Sequence, residues 1–77
     1  MRLTPREFDL LHYLITNVDF PLSHGKILGT VLGPDYCKEV EYLRAIVQRL
    51  RQKIEPDPAD PRYLLTEHSF GYRFCLP

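Results

Sequence analysis

The chain has 77 residues, 44% of them hydrophobic and 26% charged, with ten cations balanced by ten anions. That is one small domain, able to bury only roughly 60% of its unfolded surface and so modestly stable. No apolar run approaches the roughly 18 residues of a membrane helix and no signal-peptide pattern is visible, so a cytoplasmic globular protein is expected.

Leu3 precedes Thr4-Pro5-Arg6-Glu7, a helix start in which Thr4 caps, Pro5 fits the first helical position and Glu7 completes a capping box. Phe8, Leu11, Leu14, Ile15 and Val18 are expected to form the buried stripe of a first helix over 5–17. Residues 18–22 contain Pro21 and read as a short extended link. Ser23 caps a second, weaker helix reaching about Leu32, with Ile27, Leu28, Val31 and Leu32 as its apolar side. Gly25 and Gly29 lower its intrinsic propensity, so packing must hold it. Gly33-Pro34-Asp35 ends it and opens a loop.

The third helix, 38–54, is the most strongly patterned. Val40, Leu43, Ile46, Val47, Leu50 and Ile54 fall on one stripe at about 100° per residue. Lys38, Glu41, Ala45, Gln48, Arg49 and Gln52 occupy the opposite arc. Arg44 and Arg51 lie on one shoulder, Tyr42 and Lys53 on the other. Pro56 stops the helix. Residues 56–61 form a stiff proline-rich loop. Tyr63–Thr66 and Tyr72–Cys75 then read as strands of a β-hairpin with a five-residue tip, 67–71, in which Gly71 supplies backbone freedom. Phe74 is expected in the core, and Arg73 beside one of the acids in 55–67. The fold class is therefore mainly α with a small β-hairpin: a winged helix-turn-helix, a three-helix core plus a C-terminal wing.

Charge is zero in sum but not in distribution. Residues 38–54 carry five cations and two anions, +3, whereas residues 1–20 are −1 and 55–77 are −2. An anionic partner for the third helix follows. Arg bonds guanine edges, Gln bonds adenine, and Ala leaves room for a thymine methyl, so an arc of this composition suits the DNA major groove. The competing interpretation is a core-facing helix with a solvated charged back. Glu39 and Glu41 favour the helix N-terminal dipole but repel phosphate.

Other chemistries find no support. Cys37 and Cys75 read as free thiols, and with His12, His24 and His68 they form no zinc pattern, so neither metal nor cofactor is expected. An enzyme is not expected either. Ser23-His24 and His68-Ser69 are sequence neighbours without the base and orienting group of an activated nucleophile. No glycine-rich phosphate loop is present.

LTPREFDLLHYL, PLS at 21–23, VLGPDY at 31–36, RLRQKIEPDPADPRYLLT and the closing GYRF resemble the DNA-binding output domain of OmpR/PhoB-type response regulators. The resemblance runs over almost the whole chain. YLR at 42–44, LRQK at 50–53 and DPAxPR at 57–62 are most similar to the KdpE-like potassium-transport regulators. The resemblance implies that 1–77 is the C-terminal effector domain of a longer response regulator. It places the third helix in the major groove and the wing, 63–76, on the backbone or in the minor groove. By position, Tyr42, Arg44, Ala45 and Arg49 fall on base contacts, Gln48 and Arg51 on base or phosphate contacts, and Thr66 and Tyr72 on phosphate contacts. Lys53, His24 and His68 complete the expected DNA-binding set. Pairs of domains on direct repeats and an RNA polymerase contact through loop 33–38 are also implied.

The chain departs from the family pattern in places. His68-Ser69 stands where the wing tip commonly reads Arg-Gly, His24 replaces a common arginine, and Leu32 replaces a frequent tryptophan. Of the usual N-terminal sheet only Arg2-Leu3-Thr4 could remain. Exchanging two fixed cations for histidines implies weaker backbone binding, rising from pH 8 to pH 6. Four to six phosphate contacts would give a log K against log salt slope of about −4 to −5. The rival reading is a winged helix used for protein contact without DNA, motivated by the zero net charge and by Glu39 and Glu41.

Overall fold

The capping box at Thr4 forms as its residues dictate. The Thr4 hydroxyl accepts from the Glu7 amide at 3.3 Å while the Glu7 carboxylate accepts from the Thr4 amide at 3.0 Å. In a computed structural model describing residues 2–76, this cap starts α1, Pro5–Thr16. A two-residue strand β1, Leu22–Ser23, leads into α2, His24–Val31, whose Lys26 amide is capped by the Ser23 hydroxyl. A 3-10 turn at Pro34–Tyr36 lies in the 33–38 loop, and α3 runs Val40–Ile54. Strands β2, Leu64–Glu67, and β3, Gly71–Phe74, form the wing.

The core is one cluster shared by every layer: Leu10 and Leu14 of α1, Ile27 and Leu28 of α2, Leu43, Ile46, Val47 and Leu50 of α3, and Leu22, Leu64, Tyr72 and Phe74 of the sheet. The stripe of α3 behaves as its spacing requires. The stripe of α1 does so only in part: Leu14 is buried and Leu11 and Val18 pack against the core as expected, but two positions do not. Phe8 is 57% exposed and Ile15 46%, while Glu7, Leu10 and Leu14 are the buried positions. The buried side is turned from Phe8 and Ile15 toward Glu7 and Leu10, and burial of Glu7 is made affordable by a distant partner. Lys53 donates to its carboxylate, tying the start of α1 to the end of α3.

The Lys53 bond, reinforced by the Thr4 amide, holds the Glu7 carboxyl below its ordinary value of 4.5, against the opposing effect of burial. A carboxyl depressed in the folded state stabilises the fold above its unfolded pKa, and that contribution is lost as pH falls through the folded value. Lowering pH from about 6 to about 3 should therefore reduce the urea midpoint less in a Lys53→Met variant than in the wild type.

Two further expectations are corrected. The link at 18–22 ends in a strand: β1 pairs antiparallel with β3, Leu22 opposite Tyr72 and Ser23 opposite Gly71, giving a three-stranded sheet of order β1-β3-β2. The hairpin tip is three residues, 68–70, because Glu67 and Gly71 are already paired. At that tip Ser69 holds a left-handed φ of 63°, a conformation a glycine meets without steric cost. The wing is thus not a free hairpin but a sheet stitched to the helical core along β1.

Candidate nucleic-acid interface

Residues of α3 that face away from the core make one open surface. Tyr42, Arg44, Gln48, Arg49 and Gln52 are exposed and Ala45 is half-exposed between them, with Glu41 and, just before the helix, Lys38 at its N-terminal end. The other side is sealed, with Leu43, Val47 and Leu50 no more than 2% exposed. The arc expected from spacing is therefore the arc that is open. The hairpin does not cover it: a shallow groove between α3 and the wing is bordered by Gln48, Arg51, Thr66, Glu67 and His68.

Arg51, expected at a base or phosphate, is instead buried. Its Nε and Nη2 donate to the Leu64 carbonyl at 3.0 and 2.8 Å, and Nη2 also reaches the Thr66 hydroxyl at 2.8 Å. The guanidinium carbon lies 5.7 Å from the Tyr72 ring centroid, within cation–π range. Burial pushes its pKa down, while Tyr72 and Glu55 oppose that shift. A guanidinium remains charged regardless. Its role in this fold is to hold the wing against α3. The physical reason is its angle: Arg51 borders the apolar stripe, and the β2 backbone supplies the acceptors that make burying it tolerable.

Lys53, likewise expected at DNA, is engaged by Glu7. Tyr72 is 4% exposed; burial raises its pKa, partly countered by Arg51 and Arg44. It is packed between Arg51 and the His24 ring, which meets it edge-on at 5.6 Å. His24 is half-buried and its amide donates to the Phe70 carbonyl at 3.0 Å, so this residue joins α2 to the wing tip. Thr66 and His68 stay exposed on the wing. Arg44 remains accessible but is paired with Glu41, Nη1 to Oε1 at 2.6 Å. Arg73 donates to Glu67 at 2.7 Å, the acid partner expected for it.

Sequence reasoning missed the device that sets the wing's position. Glu55, the residue after α3, is 6% exposed. Its two oxygens accept the backbone amides of Arg62, Tyr63 and Leu64 at 2.8–3.2 Å. The carboxylate therefore closes the proline-rich loop onto the helix end. One signal was available: Arg51 and Glu55 are spaced i, i+4, where side chains share a helix face.

A family model described as the C-terminal part of transcriptional regulatory proteins matches residues 1–74. The chain belongs to this family. Among relatives of this transcriptional-regulator domain, the KDP operon transcriptional regulatory protein KdpE of Escherichia coli (strain K12) is 45% identical over 76 residues, covering 99% of this chain and 34% of that protein. The transcriptional regulatory protein KdpE of Mycobacterium tuberculosis is 43% identical over 74 residues, 96% of this chain and 33% of that protein. The regulator domain thus spans about a third of the length of these relatives. The C-terminal DNA-binding domain of RstA from Klebsiella pneumoniae superposes with a TM-score of 0.78 at 26% identity, covering 96% of this chain and 67% of that one.

Proposed function

We propose that this domain binds double-stranded DNA sequence-specifically, as the C-terminal output domain of a two-component response regulator in the cytoplasm. α3 enters the major groove and the wing lies against the backbone or the adjacent minor groove. The reading is carried by the open arc of α3, on which Arg49 and Gln48 face solvent beside Ala45, in a chain matched by the regulator family over 1–74. No catalytic step is involved: the function is affinity and positioning. Pairing of domains on direct repeats, and contact of loop 33–38 with RNA polymerase, belong to the same proposal.

Arg49, Gln48, Ala45, Tyr42 and Arg44 are the candidate base-reading residues, with Thr66 and His68 on the backbone side. Tyr72 and His24 act by holding the wing, and Arg51 and Lys53 leave the DNA-facing set. With Arg51 and Lys53 engaged within the fold and Arg44 paired with Glu41, the salt slope should be shallower than about −4 to −5.

Fluorescence anisotropy with duplex DNA at two salt concentrations tests the reading. Steep salt sensitivity supports it; absence of binding at low salt favours a protein-contact module, the use suggested by the acids at the start of α3. Arg49→Ala should cost about 1–3 kcal/mol on the preferred duplex and relax preference at one position. An equal loss on random DNA would assign Arg49 to phosphate instead.

A further inference from the structure

Resting on the DNA-binding reading above, we propose that Glu41 is a specificity-determining residue whose carboxylate accepts a hydrogen bond from the N4 amino group of a cytosine in the major groove. Glu41 sits in the first turn of α3, at the N-terminal end of the open arc, one turn before Ala45 and two before Gln48. In helix-turn-helix readers, that end of the helix meets base edges. Its side chain is 83% exposed and takes no part in the core.

A carboxylate brought among phosphates is normally repelled, and two features of this site offset the repulsion. Arg44 bonds Oε1 at 2.6 Å, and the positive end of the α3 dipole lies beside it. The pair therefore enters the groove nearly neutral, with a defined orientation. Oε2 takes no hydrogen bond among the described residues and is the free acceptor. In the major groove only cytosine N4 and adenine N6 donate. Adenine sets its N7 acceptor next to N6, which repels a carboxylate, so cytosine is the favoured partner.

Selection of duplexes from a random pool, followed by anisotropy competition, tests this with the wild-type chain, Glu41→Gln and Glu41→Ala. The exposure of Glu41 lets both variants fold, which circular dichroism verifies. The wild type should select cytosine at one position. Glu41→Gln should move that preference to adenine by about fivefold or more, since an amide pairs with adenine N6 and N7, and Glu41→Ala should flatten it. Identical preferences in all three proteins, with affinity rising uniformly in the variants, would overturn the assignment and leave Glu41 as a simple repulsive charge; the DNA-binding reading would survive. A wild-type chain that binds no duplex at about 50 mM salt would overturn both.

Discussion

Gly71→Ala is expected to cost about 3 kcal/mol or more, a large share of the about 4–12 kcal/mol available to a domain of this size. A Cβ at position 71 would sit 1.9 Å from the Leu22 carbonyl oxygen and 2.9 Å from the Ser23 Cα. Both are backbone atoms of β1, so no side chain can swing aside. Relief requires β1 to separate from β3, breaking the Leu22–Tyr72 and Ser23–Gly71 pairs. Ser23 is also the cap of α2, and His24 bonds the Phe70 carbonyl, so the damage reaches the helical core. Gly29→Ala is the control. That position has no atom within 4 Å of the added methyl, and alanine should stabilise α2 by about 0.5–1 kcal/mol. Chemical denaturation of both variants checks the pair; equal stabilities would mean that β1 is dispensable. The glycine is required by close approach of two strands, not by freedom in a turn as the sequence suggested.

That difference illustrates what was legible in the sequence. Caps were, because a Thr or Ser followed by its amide partner is a local arrangement: Thr4 and Ser23 start their helices as expected. The stripe of α3 was, because six aliphatic positions agree on one phase. The phase of α1 was not. Leu14 was placed correctly, but Phe8 and Ile15 fit the helical row beside it as well as Glu7 and Leu10 do, and burial of Glu7 depends on Lys53, 46 residues away. β1 was invisible for the same reason, being two residues long with its partner near residue 72. Within the candidate interface, the open arc follows from periodicity alone. Which cations beside it are engaged elsewhere does not: Arg51 is buried against the Leu64 carbonyl and Lys53 is paired with Glu7, acceptors that only the folded chain supplies.

Glu55→Ala should be comparably damaging, at about 3 kcal/mol or more, and it should strike the wing first. The carboxylate satisfies three consecutive amides, the part-buried ones of Arg62 and Tyr63 and the buried one of Leu64. A buried donor left without a partner costs about 1–3 kcal/mol, and the two part-buried donors and the stranded loop add to it. Leu64 is itself fully buried, and its carbonyl receives Arg51, so loss of the Glu55 anchor also loosens the Arg51 clamp. Glu55→Gln separates charge and acceptor geometry from volume. The amide keeps the shape, but one of its two ends becomes a donor aimed at backbone donors, so it should recover less than half of the lost stability. Full recovery by glutamine would show that packing, not amide capture, holds the loop. Amide hydrogen exchange locates the effect: protection at 62–66 should collapse before protection in α1. Under the proposed DNA-binding function, affinity should fall with it even though Glu55 lies off the open arc, because a wing and α3 that meet one duplex would need this carboxylate and Arg51 to fix the angle between them.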